Sequence, residues 1–148
     1  ISGHKFIGSP MPCGIVLARK AAVERIARNI EYVGSLDTTI TGSRNGITPL
    51  ILWYAIRTHG REGFAQWVAG CLEVADYAIK CFREIGMEAW RNPNAITVVI
   101  PRPPDFITDK WQIAVHEDCG HVIVMPHITR GKIDELVADF VATREAGT

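Results

Sequence analysis

The chain has 148 residues, 47% of them hydrophobic, and its 16 basic side chains balance 16 acidic ones. A chain of this size can bury a hydrophobic core, and its zero net charge gives no reason to expect nucleic acid or an anionic membrane as a partner. Its longest apolar stretch, residues 47–56, is shorter than the ~20 residues that span a bilayer. Four irregularly spaced cysteines predict reduced thiols in a cytoplasmic protein: Cys13, Cys71, Cys81 and Cys119.

The N-terminal part of the chain alternates loops with short regular elements. A loop rich in glycine and proline leads into the apolar run 14–18, which predicts a buried strand, and residues 21–28 have helical spacing. The small polar residues 41–46 precede a helix that we predict from Ile47 to about Thr58, ending near Gly60. We therefore expect helix and strand to mix in this part.

The C-terminal part begins with a long helix, predicted from about Glu62 to Ile85 with Gly86 as its stop. Its apolar residues form a stripe that we assign to packing: Phe64, Val68, Cys71, Leu72, Ala75, Ile79 and Phe82. Strands are predicted after it at 88–91, 97–100, 112–115 and 121–125, with a rigid loop at 101–104 and a turn at 117–118. A last helix over 129–142 is predicted to turn one face inward, formed by Ile133, Leu136, Val137, Phe140 and Val141.

These elements predict an α/β protein in two parts joined by the long helix. Residues 1–60 are interpreted as the end of a larger sheet domain, 61–85 as the connecting helix, and 86–148 as a small α+β domain.

Lys5 is the leading candidate for a functional residue. It stands in Ser2-Gly3-His4-Lys5, ahead of the run Phe6-Ile7-Gly8-Ser9-Pro10-Met11-Pro12-Cys13-Gly14. A solvated surface position is the commoner role of a lysine. However, an amine beside a serine and a histidine has what a pyridoxal phosphate (PLP) site needs, namely a group that forms a Schiff base and donors that hold a phosphate.

The segment from Ile1 to Ala18 resembles the cofactor-lysine segment of the PLP-dependent amino acid decarboxylases of fold type I. The resemblance continues through Asn29–Tyr32, Thr41–Gly46 and Val124–His127 and covers nearly the whole chain. Within that family the chain is most similar to the bacterial histidine decarboxylases and almost as similar to the plant serine decarboxylases. The resemblance implies the end of the large domain and the small C-terminal domain of the type I fold.

The resemblance also implies the roles of four residues. Lys5 would form the internal aldimine with PLP, and Ser2 and His4 would contact the cofactor phosphate. Ser43 would reach the phosphate of the neighbouring subunit in a homodimer. Donors at a helix N-terminus favour an anion, whereas an ordinary helix cap is the alternative role for Ser43. The implied reaction is decarboxylation of an L-amino acid, histidine first, with serine or another amino acid as the alternative.

Two other groups that the family uses cannot be placed in this sequence. They are the aspartate that pairs with the pyridine nitrogen and the histidine that stacks on the ring, which precede the lysine in the family. We therefore expect the chain to be the C-terminal portion of the enzyme, with the N-terminal portion as its partner in the same or a separate polypeptide. We expect the chain alone to be inactive.

Two alternatives belong to other functional classes. A zinc-binding module would use His116, Cys119 and His121, with His127 beyond, but their spacing matches no structural zinc motif. We also expect these side chains to point to alternating faces of two strands, so no metal is predicted. The second alternative is a non-catalytic interaction domain, against which the intact set of Ser2, His4 and Lys5 argues.

Overall fold

The computed structural model of the chain describes residues 1–30, 34–37 and 45–146. The chain divides into two compact units, Ile1–Gly60 and Arg61–Thr148. None of the described helices combines the length and the apolar content that a membrane span requires.

The first unit contains one short helix, one small hairpin and the start of a long helix. Helix α1 (Lys20–Ile26) agrees with the helix predicted for this region. Strands β1 (Arg28–Ile30) and β2 (Ser35–Asp37) pair antiparallel, with Arg28 opposite Asp37, and were not predicted. Three-residue strands are too short to show a period in the sequence.

The buried strand predicted at 14–18 is wrong for the described residues. Gly14 forms a single bridge with Ser2, and the Ile15 N–H donates to the Ile1 carbonyl at 2.7 Å. Beyond them Val16 and Leu17 are 88% and 80% exposed. An apolar run becomes a buried strand only where neighbouring strands pair with it. Among the described residues, no strand pairs with residues 16–19.

Helix α2 (Ile47–Glu84) contains a break at the position where the sequence predicts one. Gly60 has φ 58° and ψ −172°, a backbone conformation that only glycine adopts readily. At the start of the helix, the Asn45 Oδ1 accepts hydrogen bonds from the Thr48 N–H at 2.9 Å and the Thr48 hydroxyl at 2.7 Å. A side-chain acceptor here satisfies a donor that the first helical turn leaves unpaired. The predicted stop is also confirmed, because Gly86 has φ 73° just after the helix.

The second unit packs a three-stranded antiparallel sheet with helices. Its sheet has the order β3 (Thr97–Pro101), β5 (Cys119–Ile123), β4 (Ala114–His116). Helices α3 (Asp105–Trp111) and α4 (Arg130–Ala146) complete the unit. The largest fully buried side chains come from several of these elements and form its core: Phe82, Val98, Ile100, Ile107, Val124 and Ile133.

Several predictions for this unit need correction. The strand predicted at 88–91 is reduced to one bridge between Trp90 and Val99. Helix α3 was missed because Pro103 and Pro104 suggested only a loop. Pro104 stands at the N-cap of α3, where the missing N–H costs nothing. Of the last helix's predicted inner face, Val137 is half-buried and Val141 is 36% exposed.

Polar contacts join the helices of the second unit. The Tyr77 hydroxyl donates to Asp134 Oδ1 at 2.5 Å, which raises the pKa of Tyr77 above its ordinary value. Asp139 on α4 accepts hydrogen bonds from Lys110 Nζ and Trp111 Nε1, both at 2.7 Å. These two donors, Lys110 first, lower the pKa of the Asp139 carboxyl. Tyr77 and Asp134 therefore link α2 to α4, and Lys110 and Trp111 link α3 to α4.

Candidate cofactor site

The candidate site is the loop that carries Lys5, and main-chain hydrogen bonds close this loop. The Gly3 N–H donates to the Cys13 carbonyl at 3.0 Å, and the Ser9 N–H donates to the Gly3 carbonyl at 2.9 Å. The Gly8 N–H donates to the Lys5 carbonyl at 3.0 Å, with Gly8 at φ 82°. The backbone around Lys5 is therefore held by residues that follow it in the chain.

The Lys5 side chain is exposed. Its amine has no hydrogen-bond or ion-pair partner within residues 1–30, 34–37 and 45–146. A lysine that serves structure is usually paired through its ammonium group or solvated on an open surface. An exposed amine is therefore ordinary for a surface lysine. What distinguishes Lys5 is a backbone fixed on both sides by main-chain hydrogen bonds, which suits an amine that must reach a reactive carbon.

His4 is oriented by the main chain of Cys13. Its Nδ1 lies 3.1 Å from the Cys13 nitrogen and 3.0 Å from the Cys13 oxygen. The Cys13 N–H can only donate, so when Nδ1 accepts it the neutral ring carries its proton on Nε2. Nε2 is then a donor for an anion. The four cysteines, Cys13 included, form no disulfide.

The structure brings three of the four predicted site residues together. Ser2, His4 and Lys5 share the closed loop, and the half-buried Ser2 faces Gly14 across its backbone bridge. Ser43 and its neighbours 41, 42 and 44 lie outside the described residues, as do Glu31 and Tyr32. The described chain after this segment starts at Asn45, which caps α2.

The donor set of the loop fits PLP. An amine can bond to the cofactor aldehyde, and the Ser2 hydroxyl and the His4 N–H can donate to a phosphate. Sequence reasoning missed Ser9, a buried serine whose side chain closes the second half of the loop. The signal was present in the sequence, because a serine before proline often begins a turn.

Three of the residues considered for zinc share a face of the sheet but form no cluster of ligands in the described part of the chain. Register pairs His116 with Cys119, and opposite residues of an antiparallel pair share a face, as do Cys119 and His121 two residues apart. The expected alternation of faces is therefore wrong. Even so, within the described residues no three side chains of His, Cys, Asp or Glu come together as metal ligands would.

Comparison with known proteins identifies relatives along nearly the whole chain. No model of a known protein family matches it. A histidine decarboxylase from Mesorhizobium japonicum is 52% identical over 137 residues, which are 93% of this chain and 37% of that protein. A histidine decarboxylase from Morganella morganii is 46% identical over 143 residues, 96% of this chain and 38% of that protein. The chain thus spans somewhat over a third of the length of these relatives.

Solved structures with a similar fold include two enzymes. L-methionine decarboxylase from Streptomyces sp. 590, in its internal aldimine form, superposes with a TM-score of 0.71 at 32% identity over 93% of this chain and 30% of that one. A sphingosine-1-phosphate lyase from Burkholderia pseudomallei superposes with a TM-score of 0.67 at 20% identity over 85% of this chain and 32% of that one, which supports the fold alone. The chain is homologous to part of the bacterial histidine decarboxylases, and it has the fold of the corresponding part of a PLP-dependent amino acid decarboxylase of fold type I.

Proposed function

We propose that this chain is part of an enzyme that decarboxylates an L-amino acid with PLP, and that Lys5 is the lysine that binds the cofactor. The observation that carries the proposal is the exposed amine of Lys5, which has no partner among the described residues, on a closed loop beside His4. When bound, PLP supplies an electron sink for the bond between Cα and the carboxyl carbon. Lys5 would hold the cofactor, and Ser2 and His4 would donate hydrogen bonds to its phosphate.

We also propose that the functional enzyme contains the further region that the relatives carry beyond these 148 residues, in the same polypeptide or a separate one. We call this assembly the complete enzyme. The first part of α2 supports a covering partner. Residues 47–56 are apolar except for Thr48, and five of them are more than half exposed: Ile47, Leu50, Trp53, Tyr54 and Ile56. Helices apolar on all sides are normally buried. We expect residues 1–148 alone, supplied with PLP, to show no turnover, and substantial turnover would contradict this.

Cofactor attachment is tested by reducing the complete enzyme with borohydride and mapping the modified peptide. We expect a pyridoxyl group on Lys5, and Lys5→Ala should abolish labelling. Lys20→Ala is a matched control, because Lys20 is an exposed lysine paired with Glu24 on α1. A label on another lysine, or none in a yellow preparation, would overturn the assignment. An unlabelled, inactive protein would favour a non-catalytic interaction domain.

We propose histidine as the substrate because the relatives named histidine decarboxylases are 46% and 52% identical to the chain, whereas the methionine decarboxylase is 32% identical. Serine remains the alternative. A site that hydrogen-bonds an imidazole should discriminate against analogues without it by ~10⁴ or more. Decarboxylation of histidine, serine and methionine by the complete enzyme should be compared by kcat/KM. A higher value for serine or methionine would refute histidine and leave the decarboxylase proposal intact.

Ser43 is proposed to contact the phosphate bound by the partner subunit of a homodimer. Mixing Ser43→Ala subunits with Lys5→Ala subunits would then create hybrid dimers with one intact site. Activity of the mixture should exceed that of either variant alone. Activity that never exceeds the Ser43→Ala value would contradict the arrangement. We further propose a cytoplasmic location, where the four free cysteines would stay reduced.

A further inference from the structure

The second half of the Lys5 loop is closed by the side chain of Ser9. Ser9 is 5% exposed, and its hydroxyl donates to the Met11 carbonyl at 2.9 Å while accepting from the Met11 N–H at 3.3 Å. Because Pro10 and Pro12 have no N–H, Met11 holds the only main-chain donor of residues 10–12. One hydroxyl therefore satisfies both main-chain groups of Met11 and sets the turn between two prolines.

This turn is connected to the functional tetrapeptide through Gly3. The Gly3 carbonyl accepts from the Ser9 N–H at 2.9 Å, and the Gly3 N–H donates to the Cys13 carbonyl at 3.0 Å. The main chain of Gly3 is thus hydrogen-bonded to Ser9 before the turn and to Cys13 after it. The main chain of Cys13 also orients the His4 ring. Opening the turn would release Gly3 and His4 together.

The side chain of Lys5 contributes nothing to its own placement, because its amine has no partner in the described part of the chain. Its position is set by its backbone, which is held on one side by Gly3 and on the other by the bond from the Gly8 N–H to the Lys5 carbonyl. We propose that Ser9 is a positioning residue for Lys5: its hydroxyl holds the turn that keeps the lysine backbone and His4 in place. The inference rests on the proposed function of Lys5.

Ser9→Ala in the complete enzyme removes both hydrogen bonds to Met11. A displacement of ~1 Å in a reacting group can cost ~10²-fold in rate, so we expect kcat to fall about 10-fold to 100-fold with a much smaller change in the KM for histidine. PLP should be lost faster on dialysis. In the cofactor-free enzyme, amide hydrogen exchange of residues 1–15 should be about tenfold faster. Without the two hydrogen bonds between Ser9 and Met11, local opening of the turn costs less free energy.

Two conservative variants separate the hydroxyl from packing. Ser9→Thr keeps the hydroxyl, and Ser9→Asn offers a side-chain oxygen that can accept the same Met11 N–H. At least one of them should restore kcat and slow exchange. Lys20→Ala is the control, because it shortens an exposed side chain on α1 outside the loop and should change neither measurement.

The outcomes distinguish this inference from the proposed function. If borohydride labels Lys5 in the wild-type enzyme but Ser9→Ala leaves kcat and exchange unchanged, the role of Ser9 is refuted and the role of Lys5 stands. Failure of both conservative variants to restore either measurement also refutes it, because the effect would then come from packing. If wild-type Lys5 is not labelled, the proposed function fails, and the positioning role fails with it.

Discussion

Gly3→Ala tests whether the Lys5 loop is as closely packed as its hydrogen bonds indicate. Gly3 is buried, and a Cβ atom there would lie 2.6 Å from Cys13 Sγ and 2.8 Å from Leu52 Cδ2. Favourable contacts between such atoms are found near 3.5–4.0 Å, so each neighbour would have to move by about 1 Å. The substitution adds a single methyl group and leaves every hydrogen-bonding group of the loop in place.

The two contacts differ in how easily they can give way. Leu52 Cδ2 is the end of a flexible side chain and can rotate away. Cys13 Sγ is one bond from its Cβ, and the Cys13 main chain is held by Gly3 and by the His4 ring. Overpacking of this kind costs ~1–3 kcal/mol, and we expect about 2 kcal/mol because only one of the two neighbours is free to move.

The assay is amide hydrogen exchange of residues 1–15 in the complete enzyme, which reports the free energy of local opening. A loss of ~2 kcal/mol corresponds to about 30-fold faster exchange. Cys13→Ala removes the sulfur, so the double variant Gly3→Ala/Cys13→Ala should recover more than half of the loss. The Gly3→Ala enzyme should lose PLP fastest, and the double variant should retain it better.

Gly70→Ala is the matched control, because among the described residues nothing beyond the adjacent helix backbone lies within 4 Å of a Cβ at that position. It should be neutral or stabilise by up to ~1 kcal/mol. If the effects of Gly3→Ala and Cys13→Ala simply add, to within ~0.5 kcal/mol, the sulfur does not obstruct residue 3. The packing argument for the loop would then be wrong.

Two further predictions concern the second unit. Gly120→Ala should lower its stability by ~1–3 kcal/mol, because the new Cβ would lie 2.7 Å from Cδ of the rigid Pro103 ring; an unchanged denaturant midpoint would contradict this. Asp139→Asn should destabilise the protein at neutral pH, because Lys110 and then Trp111 lower the pKa of the folded carboxyl. The stabilisation is present above the ordinary pKa near 4 and is lost as pH falls through the lower folded value, so the difference from wild type should shrink below about pH 4. A stability difference between Asp139→Asn and wild type that does not change with pH would refute this role of the carboxylate.

The sequence alone was enough to predict the features that depend on local patterns. The apolar periods of α2 and α4 are long enough to identify a helix, and the breaks at Gly60 and Gly86 follow from conformations that glycine adopts readily. The turn at 117–118 and the strand that became β5 were likewise predicted, although the strand begins two residues earlier than expected. The resemblance of residues 1–18 to the cofactor-lysine segment of the PLP-dependent amino acid decarboxylases predicted the relatives that the comparison found.

Only the tertiary structure decided the features that depend on distant neighbours. Whether an apolar run is buried is determined by the strands beside it, so the exposure of Val16 could not be predicted from the run itself. The same holds for α3, a seven-residue helix that shows too little periodicity to identify by itself. In the Lys5 loop, the sequence named candidate groups for a cofactor site, but their placement depends on contacts that Ser9, Cys13 and Leu52 make around Gly3. Ser9 before Pro10 indicates a turn by itself, but these contacts join residues that are not neighbours along the chain, so local sequence patterns do not predict them.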